Sequence, residues 1–131
     1  MREIKFRSAH YNLDYDTFSH FSYWGLINHK GKFDNTCFSS PTHSSSNYRK
    51  VEEQYTRLKD KNGFEIYEGD IVKYYGDYGA EGVDSSFTKN IEVTYDSRLA
   101  AFEPFAELSF QIVDIESFEV IGNIHENKDL L

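Results

Sequence analysis

Four histidines and one thiol stand out as groups with chemical scope in the first fifty residues: His10, His20, His29, His43 and Cys37. Imidazole and thiolate are the usual ligands of zinc. Their spacing here matches neither a finger nor an H-E-x-x-H helix, so no metal is expected. Cys37 beside a histidine could be a nucleophile, but Thr36 and Phe38 flank it with no recognisable signature, and it reads as a reduced thiol. Two ordered polar motifs follow, Asp60-Lys61-Asn62-Gly63 and Glu68-Gly69-Asp70. Gathered carboxylates could serve acid–base work or a cation. Asx and glycine residues also have a purely local reason to sit in turns, so Asn62, Gly63, Gly69 and Asp70 are assigned to structural turns. No phosphate-binding G-x-x-x-x-G-K-[ST] or G-x-G-x-x-G occurs. Catalytic residues and cofactors are therefore expected to be none.

The other chemistry on offer is binding. Tyr11, Tyr15, Phe18, Phe21, Tyr23 and Trp24 are interleaved with cations. Aromatic rings that stack bases, with Lys and Arg beside them, suit single-stranded nucleic acid. A β-rich domain needs the same aromatics for its core or for a subunit interface. The candidate binding residues are Trp24, Tyr23, Lys30, Lys32, Arg49 and Lys50. The carboxylates of 77–126 could imitate a phosphate track toward a DNA-binding protein; the plainer reading is a solvated acidic surface.

Composition bounds these readings. The chain has 131 residues, one cysteine, 22 aromatic residues and a net charge of −8. It is too aromatic and too unrepetitive to be disordered, and it is no disulfide scaffold. Acidity argues against a generic DNA binder, because phosphate neutralisation needs cations. The charge is uneven, however: +3 over residues 1–50 and −11 over 51–131. No apolar run approaches the roughly 18 residues of a membrane helix. The opening Met1-Arg2-Glu3-Ile4-Lys5-Phe6-Arg7 has no apolar signal core. The expected compartment is the cytoplasm, with no membrane partner.

The elements that must position these groups are mostly strands. Ile4 and Phe6 fall on one face of an opening strand. Residues 17–27 form a second, where Gly25 suggests a bulge or bend, and 29–32 a turn. Residues 35–50 are Ser-rich and read as a loop, with a boundary near 50. Asn62-Gly63 is the dipeptide a tight hairpin turn prefers, because both residues tolerate positive φ. Ile71–Tyr75 is a strand and 76–90 a long loop. Ile91, Val93 and Tyr95 alternate inward, 99–113 is ambiguous, and Phe118–Ile124 closes the chain. This order fits a small SH3-like β-barrel over 51–131, preceded by an N-terminal β segment over 1–50.

The opening Met1–Arg7 block is joined by Gln54-Tyr55-Thr56, Leu58–Gly63, Glu65–Val72 and Glu119–Asn127. Together these blocks resemble the YopX family. The resemblance implies an origin in bacteriophages or prophages, chiefly of Gram-positive hosts, and a mostly β fold. It carries over no catalytic residue. The family often has Ala-Trp-Asp where this chain has Ser8, Ala9 and His10, a glycine at Arg57 and a proline at Lys128.

The expectation is a mostly β, non-enzymatic accessory protein that binds a protein partner or itself. The alternative is a nucleic-acid binder using residues 1–50.

Overall fold

The computed structural model describes residues 4–26, 28–29, 32–33, 48–77, 86–105 and 117–131; the side chains of Leu26, Asn28, His29, Lys32, Phe33 and Asp77 are outside that description. Cys37, His43, Lys30, the Ser-rich stretch up to Asn47, Gly79, Gly82 and the residues from 106 to 116 lie outside the described residues. The chain is mostly β, with a sheet curled into a half-barrel. It divides into two compact units, 1–57 and 58–131.

The first unit is built on β1 (Ile4–Asn12), β2 (Thr17–Leu26) and β5 (Tyr48–Lys59), with a small hairpin of β3 (Asn28–His29) and β4 (Lys32–Phe33). β1 lies between β2 and β5, antiparallel to both. His29 and Lys32, expected as part of a turn over 29–32, instead pair with each other as strand residues. Residues 48–50 were expected to end the Ser-rich loop; instead they open β5, because Asn12, Tyr11 and His10 of β1 give their backbone partners. The bulge is also not at Gly25. Lys5 and Gly25 stay in register, and the irregularity falls between His10 and Tyr11, opposite His20 and Phe18. Gly25 is needed for another reason. Its φ is +136°, and a Cβ there would meet the Ile4 carbonyl oxygen.

Alternation along β1 sorts side chains onto two faces. Phe6, Ser8 and His10 share one, opposite Trp24, Ser22 and His20 of β2; Arg7 and Ala9 share the other, opposite Tyr23 and Phe21. The buried set here is unusually polar: Arg7, Ser8, His10, Glu53 and Thr56 join Ala9 and Tyr55.

The second unit continues from the end of β5 through a turn to β6 (Glu65–Tyr67), then β7 (Asp70–Asp77), β8 (Ser86–Glu92), β9 (Thr94–Asp96), β10 (Ala101–Glu103) and β11 (Glu119–Asn123). β7 is central in a sheet ordered β11-β7-β8, and β9 and β10 form a hairpin. The apolar core is Ile66, Val72, Tyr74, Val93 and Phe118, with Phe87, Ile91, Phe105 and Val120 packed against it. The expected loop at 76–90 is thus shorter: β7 runs to Asp77, and Ser86–Asn90 pair with it in β8. The inward alternation of 91–95 stops at Val93. Tyr95 is exposed, because β9 starts a separate hairpin at Thr94 and turns its ring onto Phe102.

The Asp60–Gly63 turn departs from a two-residue hairpin. Gly63 has φ +85°, whereas Asn62 is not left-handed. The Gly63 N–H donates to the Asp60 carbonyl (3.0 Å), and the Asp60 N–H to the Phe64 carbonyl (2.8 Å). This is the three-residue loop in which a type I turn is followed by a left-handed glycine. The Asp60 side chain holds it closed, and so Asn62 has no need of a positive φ. At the second turn Gly69 has φ +81°. Its N–H and C=O bond Val93 and Ile124, and Asp70 Oδ2 accepts from the Tyr67 N–H at 2.8 Å.

Candidate functional site

The strongest concentration of polar chemistry lies across β2, β1 and β5. The Ser8 hydroxyl donates to Glu52 Oε2 at 2.6 Å, and the Trp24 indole N–H reaches both Ser8 Oγ and Glu52 Oε2 at 3.1 Å. One row along, His10 Nε2 is 2.9 Å from Ser22 Oγ. The His10 and His20 rings stack with centroids 4.5 Å apart, and Ser19 Oγ lies 2.9 Å from His20 Nδ1. Lys50 is opposite His10 in register and pairs with Glu52 at 3.3 Å. Ser8 and His10 are fully buried.

This arrangement follows from the register. Ser8-x-His10 and His20-x-Ser22 run antiparallel, so each strand sends one serine and one imidazole to the same face. That mirrored spacing is the available sequence signal, and reading the histidines as metal ligands or as a base for Cys37 misses it. Chemically, a serine hydroxyl against an imidazole nitrogen has the spacing of a nucleophile and its base. The pair with that spacing is Ser22 and His10, and the His10 ring is closed to solvent. Among the described residues, no three His, Cys, Asp or Glu are placed to hold a metal ion.

The opposite face carries an ion pair. Arg7 Nε is 2.8 Å from Glu53 Oε1, with both side chains about 5% exposed, and its guanidinium lies 4.2 Å from the Phe21 ring centre. Arg49 stacks on Tyr11 at 4.4 Å. Burial raises the Tyr11 phenol above its ordinary pKa, and the Arg49 charge opposes the shift.

Of the expected binding residues, Trp24 and Lys50 both meet Glu52. Trp24 is stacked on Phe6 at 4.5 Å and hydrogen-bonded. Arg49 lies on Tyr11, and Lys50 lies on Glu52. Lys32 sits in β4, and Lys30 is outside the described residues. Tyr23 differs: it is 59% exposed on β2. β2 is the end strand of its sheet. Leu13 and Tyr15, in the β1–β2 hairpin, are also exposed, Tyr15 by 76%. Sequence reading took Tyr15 as an aromatic of the core or interface set without separating it from its neighbours. No helix among the described residues is long and apolar enough to cross a membrane.

Comparison with known proteins adds the following. No curated protein matches this chain. A solved structure, that of protein EF1440 from Enterococcus faecalis, is 27% identical, with 98% of this chain and 97% of that one covered and a TM-score of 0.49. The family model described as YopX protein matches residues 20–131. That span begins inside β2 and takes in the acidic face partner Glu52, both glycine turns and the closing strand, so the chain belongs to the YopX family.

Proposed function

We propose that this chain is a phage- or prophage-encoded accessory protein acting as a non-enzymatic binding module for a protein partner or for a second copy of itself. The observation that supports this most is the outer strand β2 with its hairpin, in which Tyr15, Tyr23 and Leu13 are each exposed. An end strand offers backbone N–H and C=O groups to an added strand. Tyrosine gives such a contact large area at low entropic cost. In the same reading the second unit is a small SH3-like barrel whose acidity keeps it solvated. The engagement of Trp24, Arg49 and Lys50 in contacts inside the first unit favours this over base stacking.

The test compares the purified chain with a Tyr15→Ala/Tyr23→Ala variant. Mass in solution is measured across a concentration series, beside capture from induced host cells. The expected result is a dimer, or one stoichiometric partner, weakened at least about tenfold in the variant. A chain that stays monomeric and captures nothing removes the proposal.

A further inference from the structure

A pocket of about 220 Å³ opens on the exposed side of the second unit, lined by Lys61, Lys73, Tyr75, Thr88, Ser117 and Glu119. Strand alternation builds it. Val72 and Tyr74 of β7 point into the core, so Lys73 and Tyr75 point out. Glu119 of β11 is opposite Lys73 in register, and Thr88 of β8 is opposite Tyr75. Lys61 is brought in by the turn after β5, whose backbone is fixed: the Lys61 N–H donates to the Phe118 carbonyl at 2.9 Å, and Asp60 Oδ2 accepts from the Val120 N–H at 2.9 Å. Ser117 Oγ accepts the Tyr75 N–H at 2.9 Å where the β7–β11 ladder ends.

The charge here runs against its surroundings. Residues 58–131 hold 16 acidic and 6 basic side chains, yet two of those six bases line this one pocket. Glu119 neutralises Lys61 at 3.3 Å. Lys73 has no ion-pair partner among the described residues, which leaves the pocket with one net positive charge.

The geometry points to a carboxylate-binding pocket, in which Lys73 takes the charge of a singly ionised acid and the Thr88 and Tyr75 hydroxyls border it. One charge matches one charge. A phosphate dianion would bring a second negative charge beside Glu119 in an acidic unit. The volume is below the roughly 300–1,000 Å³ of drug-sized sites, so it admits a small acid or the end of a peptide chain and not a nucleotide. The site uses none of the β2 residues on which the proposed binding role rests, so either reading can fail without the other.

The experiment is an NMR titration of the intact ¹⁵N-labelled chain at low ionic strength. The probes are sodium acetate, a short peptide with a free C-terminus, the same peptide as its amide, and sodium chloride at matched ionic strength. The expected result is saturable shifts at the Lys73, Tyr75, Thr88 and Ser117 amides with the two acids, and none with the amide or chloride. Tighter binding of acetate names a small acid as the source, and tighter binding of the peptide names a chain end. Lys73→Gln is expected to weaken the binding at least about tenfold. Thr88→Val provides a second, milder reduction should Lys73→Gln not fold. Absence of saturable shifts, equal shifts with chloride, or unchanged affinity in both variants would overturn the assignment.

Discussion

Arg57 has φ +72° within β5, in the region that suits glycine. The left-handed conformation costs an L-residue roughly 1–2 kcal/mol. Glycine is also the residue the family often has at this position. Arg57→Gly is therefore expected to stabilise the chain. The gain should be only about 0.5–1 kcal/mol, because glycine also loosens the unfolded state. Urea midpoints for wild type, Arg57→Gly and Arg57→Ala decide it: the alanine variant keeps the strain and should show no gain. Trp24, Arg49 and Lys50 each already face a partner of complementary chemistry, namely Ser8 and Glu52, the Tyr11 ring, and Glu52.

Among the elements, the Asp60–Gly63 turn is held by a single side chain, that of Asp60. Asp60 Oδ1 accepts from the Asn62 and Phe64 N–H groups, each at 2.9 Å, and Oδ2 from Val120. One buried carboxylate thus closes the turn and ties it to β11. Losing it strands three donors, each worth about 1–3 kcal/mol when buried without a partner, though relaxation toward water recovers part. Asp60→Ala is expected to cost about 2–4 kcal/mol by denaturant unfolding, with Asp60→Asn nearer wild type because it keeps an acceptor oxygen. A cost under about 1 kcal/mol for the alanine variant would show that the backbone bonds alone hold the turn. The first unit depends on pairs of another kind. The Arg7–Glu53 and Ser8–Glu52 contacts each join β1 to β5 across more than forty residues of chain.

At the scale of the molecule, charge and contact division tell one story. A net charge of −8 resists nucleic acid, and in the near-neutral first unit Arg7, Arg49 and Lys50 face internal partners. We expect no retardation of single-stranded DNA at low salt in a gel-shift assay. Retardation that fell steeply with salt, and vanished when Lys30, Lys32, Arg49 and Lys50 were neutralised, would restore the nucleic-acid reading. The two units also differ in what holds them. The second has an apolar cluster around Val72 and Phe118, whereas the first buries polar pairs and stacked rings.

Much of this could be read from residue order, because some rules are local. Strands were legible at Ile4–Phe6, Ile71–Tyr75 and Phe118–Ile124, and glycine's freedom at positive φ marked the turns at Gly63 and Gly69. The split of charge and the family resemblance are likewise properties of the string alone. Register is not local. Which serine meets which histidine, and whether Lys73 or Glu119 lines a pocket, depends on pairings between residues 12 to 46 positions apart. A shift of one residue would send every such side chain to the other face. The sequence by itself therefore determined strands, turns and charge; only the tertiary structure decided that Ser8, Trp24 and Glu52 form one network with the His10–Ser22 pair one row along, that Tyr15 and Tyr23 stay exposed, and that Lys73 lines a pocket beside Glu119.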